Sequence, residues 1–588
     1  MKSSPLRFRG LILICLFACG FTMISGRLVF LQLVSHDRYR EKSKEMHFER
    51  LPISPRRGKI LDRQGRVYAQ SLKIMDLHID GKLALESPER LAEVARVIKI
   101  EAGELKRSLS PKRRWQKIAM DLSEFQQMRL EELNLRYLIF EERIKRVYPN
   151  GQEACHVVGF TNQIHKKFPG HKKASKVEAG VQGIESMVNK YLTGIPGEQR
   201  VVKDRDQKEI PAYRQVDRRP LDGLNVVLSL DQGVQHILET EAMRIVDDFA
   251  PESVSIIAVK PSTGEILGMT NRPSFDPNKS ETREPENLRN SGLMNLYEPG
   301  SIFKIVTLAA VLNERVADLG TPIFCENGEF FYADRYLRDS SPHGRLTVKQ
   351  ALAQSSNIAF AKLALQLRQD RLYRYIRQLG FGKTVQSTNY SLAGEQAGIL
   401  RPPHYWSSIS ITRIPIGYEV ATTNLQMTMA VAAIANEGKL MEPRFVQSIQ
   451  DENGKIVKQF LPKVVRQVIR QDACEQVIQA LTAVVSEGTG KAAAVSGLQI
   501  AGKTGTARKV INGQYAAGAY CSSFVGFFPA QAPEILVSVV VDYPKGDQYY
   551  SSQVAAPAFG RIASRIAQHL DIGLTQEPSP VVTARRPQ

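Results

Sequence analysis

A serine and a lysine three residues apart, Ser301 and Lys304, follow the Glu298-Pro299-Gly300 turn and open an apolar run over residues 305–312. On a helix, residues at i and i+3 share a face one turn apart. A serine hydroxyl is a poor nucleophile until a base takes its proton, and an uncharged amine can do that. An ordinary lysine is protonated at neutral pH, so such a site has to depress its pKa by burial or by a second positive charge. Free N–H groups in the first helical turn also favour developing negative charge. The pair suits acyl transfer through a serine ester. About two S-x-x-K matches are expected by chance in a chain of this length, most of them a surface lysine one turn after a capping serine. The weight must come from other residues.

Ser355-Ser356-Asn357 falls between two apolar periodic stretches, where two buried helices join. The Ser355 hydroxyl can relay a proton to a leaving group, and the Asn357 amide can fix the Lys304 amine and a substrate amide. A second S-x-N, Ser387-Thr388-Asn389, follows Gly382 in a surface-loop pattern and is set aside. Lys503-Thr504-Gly505-Thr506 is rarer, with about 0.1 matches expected by chance. It lies in the strand pattern LQIAGKTGTARKV, where Gly505 lets a ligand approach the backbone closely. Lys503 can hold a carboxylate and lower the Lys304 pKa, and the Thr506 N–H can join that of Ser301 in an oxyanion hole. The bland alternative is a turn between strands.

The elements that must position these groups are those of an α/β domain. Strand-like alternation starts at residues 224–230, and residues 253–259 and 265–270 form a hairpin around a Pro/Gly turn. A mostly helical section runs over 301–487. Strand patterns return at 498–508, 522–528 and 535–542, and a helix near 555–570 closes the domain. Residues 35–220 differ: they are rich in charge, with short mixed segments and a basic stretch over 200–219. Arg57, Asp62 and Arg63 are expected to pair across tight turns there. This part assembles no nucleophile with a base and reads as a pedestal or interaction module.

The 588 residues suffice for two or more cores. The net charge of +19 is scattered, with no aromatic-studded basic motif, so the chemistry favours a membrane surface or a carboxylate-rich polymer over nucleic acid. Neither the six cysteines nor the ten histidines show metal-site spacing, and no metal or cofactor is expected. From Gly10 to Val34 two apolar runs flank Arg27. Together they would make a helix about 37 Å long, enough to span a bilayer. No small-residue cleavage site follows, so the expectation is one uncleaved anchor with the rest exported.

S-x-x-K, S-x-N and K-T-G in this order are the set of penicillin-interacting serine enzymes. With them, LVFLQLVSHDRY, RGKILDRQG, HVVGFTN, GVQGIE with YLTGIPGE, AVKPSTGEILGM, EPGSIFK, SSFVGFFPA and SSQVAAPAFGRIA make the chain resemble the class B penicillin-binding proteins, most closely the division-specific peptidoglycan D,D-transpeptidases. The resemblance implies an α/β fold: a transpeptidase domain (mixed sheet with helical subdomain) preceded by an elongated mixed pedestal of the dimerisation type and one transmembrane helix. The expected division is 1–9 cytoplasmic tail, 10–34 anchor, 35–220 pedestal, 221–572 transpeptidase domain and 573–588 disordered tail. The catalytic domain would lie outside the bacterial inner membrane. Ser301 would attack the D-Ala–D-Ala bond of a stem peptide. Lys304 would be the base, Ser355 and Asn357 the relay, Lys503, Thr504 and Gly505 the substrate cradle, and Ser301 with Thr506 the oxyanion hole. β-Lactams would acylate Ser301, and the implied partners are a polytopic membrane glycan polymerase and other division proteins. Two departures from the family pattern stand out: Gly417-Tyr418-Glu419 where Gly-Tyr-Gly is usual, and Arg289-Asn290-Ser291 without a second arginine.

Other readings use the same residues. A D,D-carboxypeptidase or β-lactamase would let water break the ester, and an elongation-specific transpeptidase would serve the side wall. A membrane sensor or division scaffold would keep the motifs with vestigial chemistry.

Overall fold

The computed structural model describes residues 5–40, 48–113, 115–167, 175–202, 215–386, 390–511 and 513–573. The set-aside Ser387-Thr388-Asn389, the first four residues of the expected cytoplasmic tail, part of the basic stretch (203–214) and residues 574–588 of the expected terminal tail lie outside the described residues. Contacts divide the chain into two units: Met1–Arg56, Gln163–Val177 and Gly194–Asp222, and then Arg57–Asn162, Glu178–Thr193 and Gly223–Gln588.

The first unit holds a helix over Pro5–Val29 that widens into a π-turn at Phe30–Val34. Phe8–Val34 is 27 residues long with mean hydropathy 2.0 and exposes its apolar side chains, so length and composition suit a membrane span. Arg27 lies within it without breaking the helix, its guanidinium 5.6 Å from the centre of the Phe30 ring. The unit also contains an antiparallel sheet of Phe48–Ile53, Gly197–Val202 and Gln215–Arg218.

In the second unit the apolar strand expected over 224–230 forms at Asn225–Leu228, but it does not enter the catalytic sheet. It pairs in parallel with Ile60–Leu61 and antiparallel with Val446–Gln450. A short run buried on both faces carries no period that says which sheet will bury it. The glycine-bounded islands of the pedestal sequence meet here. Arg57 does not pair locally as expected: it gives Glu185 a 2.6 Å ion pair, and Arg146 takes the other oxygen at 2.7 Å, all three side chains buried. Asp62 pairs with Arg66 at 2.8 Å. Arg57 and Arg146 are buried, so each needs a buried carboxylate within reach, and Glu185 offers one oxygen to each.

The catalytic sheet has five strands. After helix α1 (Gln232–Phe249) come β1 (Ser253–Lys260) and β2 (Glu265–Arg272), the hairpin expected from the sequence. The chain then leaves the sheet for a helical section with α2 (Lys304–Asn313), β3 (Arg335–Arg338), α3 (Val348–Ala353), α4 (Asn357–Leu367), α5 (Asn424–Ala435) and α6 (Gln471–Ser486). It returns as β4 (Ala501–Ile511), β5 (Gln514–Phe528) and β6 (Ile535–Asp542), and α7 (Ala555–His569) ends the fold. The order is β2-β1-β6-β5-β4 and every pairing is antiparallel, so β4 is an edge. The helical section also contains small ladders, such as Glu329–Tyr332 with β3, that the sequence does not foreshadow. Strands of four residues are too short to leave a readable alternation.

Alternation along the strands sorts the core into two layers. Val537, Val539 and Val541 of β6 and Phe524 of β5 pack under α1 and α7. Val525 and Phe527 of β5 and Ala501 of β4 face the helical section. Lys503, two residues beyond Ala501, points the same way. The sheet edge and the helical section therefore form the two walls around it.

Candidate active site

The chain enters the site through a 3-10 turn, Gly300–Phe303, that runs straight into α2. Gly300 takes φ +54, and its N–H donates to the Gly417 carbonyl at 3.1 Å. Gly417 itself needs to be glycine, because a Cβ there would lie 2.2 Å from the Gly300 carbonyl oxygen. These two close-packed backbones fix the turn carrying Ser301. Residues Lys304 to Leu312 are all buried, so Lys304 is an amine in an apolar row with no exposed surface.

The Lys304 amine has four neighbours. Nζ lies 3.1 Å from Ser301 Oγ, 2.6 Å from the Ser355 carbonyl oxygen, 3.1 Å from Ser355 Oγ and 2.8 Å from Asn357 Oδ1. Burial pulls its pKa well below the ordinary amine value, and the positive Lys503 adds to this while the Asp339 carboxylate opposes it. A neutral amine has two N–H donors and one lone pair. The carbonyl of Ser355 and the amide oxygen of Asn357 accept only, so they take both donors and leave the lone pair for a hydroxyl.

Ser355 lies at the junction between α3 and α4 with φ +60, a left-handed conformation that costs a serine energy and that packing around it must hold. Its hydroxyl touches both amines, at 3.1 Å from Lys304 Nζ and 3.1 Å from Lys503 Nζ. Lys503 is buried, donates to Thr504 Oγ1 at 3.2 Å, and has a pKa lowered by burial to about 7. The sequence suggests Gly505 for close approach of a ligand; in the structure it is the chain itself that comes close. A Cβ there would meet the Pro299 carbonyl at 2.9 Å and Ile302 Cγ2 at 2.9 Å, so glycine lets β4 lie against the Ser301 turn. Thr506 joins from the same strand, with Oγ1 accepting from the Ser551 N–H at 3.0 Å.

The structure thus brings Ser301, Lys304, Ser355, Asn357, Lys503 and Thr504 into one hydrogen-bonded group, with Gly505 and Thr506 beside it. Two contributors carry no signal in the sequence. Asp339, just after β3, accepts from Asn357 N and Ile358 N; Thr489, between two glycines, lies 2.8 Å from Thr504 through their hydroxyls. Neither stands in a periodic stretch. At the rim, Glu419 takes φ +59 where the family pattern has glycine. Its N–H donates to Glu298 Oε1 at 2.9 Å and its Oε2 accepts from Ser410 Oγ at 2.5 Å.

Comparison with known proteins agrees with this geometry. Residues 254–564 match the family described as "Penicillin binding protein transpeptidase domain", and residues 52–228 match "Penicillin-binding Protein dimerisation domain". The chain is 32% identical to stage V sporulation protein D of Bacillus subtilis over 549 residues, covering 92% of this chain and 82% of that protein. It is 29% identical to peptidoglycan D,D-transpeptidase FtsI of Escherichia coli over 582 residues, 96% of this chain and 92% of the other. Among solved structures, penicillin-binding protein 2X of Streptococcus thermophilus shares the fold with a TM-score of 0.74 at 22% identity, covering 89% of this chain and 81% of that one.

Proposed function

The chain belongs to the class B penicillin-binding proteins, serine-type peptidoglycan D,D-transpeptidases, and from that premise we propose that it cross-links stem peptides through Ser301 during septal wall synthesis. The observation that carries the assignment of roles is the Lys304 amine, buried, with its pKa drawn well below the ordinary amine value by burial and by Lys503, and 3.1 Å from Ser301 Oγ.

The terminal carboxylate of the donor peptide binds Lys503 and the Thr504 hydroxyl, a charge-assisted contact that is strong in a buried site. The free edge of β4 receives the peptide as an added strand. Lys304 takes the Ser301 proton as Oγ attacks the carbonyl carbon of the penultimate D-alanine. The oxyanion forms against the N–H groups of Ser301 and Thr506. The proton passes through the Ser355 hydroxyl to the departing nitrogen, D-alanine leaves, and the peptide stays on Ser301 as an ester. An amine from a neighbouring strand then attacks that ester, and the same amine–hydroxyl chain takes up its proton. β-Lactams present the same carboxylate and an acylating carbonyl, so they trap Ser301.

The helix Phe8–Val34 is the anchor, with the catalytic domain on the outer side of the bacterial inner membrane, where peptidoglycan is. A polytopic glycan polymerase and division proteins are the partners. The HVVGFTN and GVQGIE stretches support the septal role over side-wall elongation, by their resemblance to division enzymes.

Two measurements test this. Incubation with a D-Ala-terminated donor and an amine acceptor should give a cross-linked product and free D-alanine; hydrolysed donor alone would mark a carboxypeptidase. A fluorescent fusion should gather at midcell. An even lateral distribution would contradict the septal role.

A further inference from the structure

Asp339 lies at the corner after β3, outside every motif discussed above. Its Oδ1 accepts from the N–H groups of Asn357 at 2.5 Å and Ile358 at 3.0 Å, and its Oδ2 accepts from Ser356 Oγ at 2.7 Å. One carboxylate thus caps the first turn of α4, an eleven-residue helix, together with Ser356, which accepts from the Ala359 N–H at 3.1 Å. The neighbouring carbonyl of Arg338 accepts from Asn357 Nδ2 at 2.9 Å. That bond settles which way the Asn357 amide faces: with Nδ2 on Arg338, Oδ1 has to face Lys304. If the amide were reversed, an N–H would oppose the N–H of Lys304 and the lone pair would no longer be directed at Ser301.

We propose that Asp339 is the positioning residue of the site: it clamps the Ser355–Asn357 turn against Lys304 and supplies the negative charge that partly balances the two buried amines. The charges acting on Lys304 from the elements around it are Lys503 on β4 and Asp339 after β3; the remaining neighbours, Ser301, Ser355, Asn357 and the face of Phe360, are neutral. Two amines this close repel, and the carboxylate sets how strongly Lys304 holds its proton. Asp339 therefore fixes the pH at which the base becomes available as well as the shape of the turn. This inference rests on the reading of Lys304 as general base.

The test compares Asp339→Asn and Asp339→Ala in the full-length chain, by rate of acylation with a fluorescent penicillin as a function of pH and by thermal unfolding. Asparagine can keep the bonds to Asn357 and Ile358 and face its amide toward Ser356 Oγ, so it removes the charge and keeps the cap. Without the anion the Lys304 ammonium is less favoured, so the acid limb of the D339N profile should move to lower pH by about one unit. The midpoint does not depend on how much of the sample is folded. D339A should acylate about 100-fold more slowly, with an unfolding temperature only a few degrees lower. A D339N limb at the parent's midpoint, or a D339A chain that acylates at the parental rate, would overturn the proposal. Lys304→Ala acylating normally would instead remove the base reading, and the proposal with it.

Discussion

The shortest hydrogen bond of Lys304 runs to the main-chain carbonyl of Ser355, at 2.6 Å. A backbone oxygen cannot give up its place by titrating or changing rotamer, so one amine N–H is permanently engaged. Asn357 Oδ1 at 2.8 Å engages the second. What remains on a neutral Lys304 is a lone pair, and the Ser301 hydroxyl at 3.1 Å is placed to give it a proton. The left-handed backbone of Ser355 is what presents both its carbonyl and its hydroxyl to the same amine.

Replacing Asn357 by Asp separates geometry from charge. The side chain keeps its shape but sets a carboxylate beside the Lys304 ammonium, which favours the charged form and raises the pKa. Asn357→Asp should therefore acylate at least about 100-fold more slowly at neutral pH, with the acid limb of its pH profile displaced toward alkali. The measurement is the pH dependence of the acylation rate. A profile displaced toward acid would contradict the assigned hydrogen bonds.

Gly505→Ala tests the fit between β4 and the Ser301 turn. The added methyl would lie 2.7 Å from Ser523 Oγ and 2.9 Å from the Pro299 carbonyl, backbone that has no room to move. The strand or the turn must shift, at a cost of about 1–3 kcal/mol in stability. Misplacing the nucleophile in this way should lower kcat/KM about 100-fold. Denaturant melts and donor-peptide kinetics read the two effects separately.

Lys503 predicts opposite pH effects on activity and stability. Its ammonium binds the substrate carboxylate, and burial brings its pKa to about 7. kcat/KM for a donor with a free carboxylate should therefore fall on the alkaline side, while protonation of Lys304 closes the acid side. In the unfolded chain a lysine titrates near about 10.4, so between the two values the unfolded state binds more protons and folding stability rises with pH. Below the folded value the cost of the buried charge is present in full. Lys503→Met should raise the unfolding temperature by a few degrees in mildly acidic buffer, an advantage that shrinks as the buffer becomes alkaline, and should abolish acylation.

The chemistry was more legible in the sequence than the architecture that holds it. S-x-x-K and K-T-G each stand in an element whose type the pattern reveals: an apolar helix after a Pro-Gly turn, and an alternating strand. Ser355 and Asn357 read as a helix junction because two apolar periods stop on either side of them. Asp339 and Thr489 were invisible, since both act from short polar corners whose position depends on distant chain. The partners of Arg57 are hidden for the same reason. A buried guanidinium seeks a carboxylate anywhere in space, and Glu185 lies in another glycine-bounded island. The strand Asn225–Leu228 shows the complementary limit, because its type was readable and its sheet was not.

The most direct test of the central claim is peptide mapping of the folded full-length chain after treatment with penicillin. One covalent adduct should appear, on the Ser301 hydroxyl, and should be absent from Ser301→Ala and strongly reduced in Lys304→Ala. A folded protein that forms no adduct, or forms it at another residue, would contradict the account.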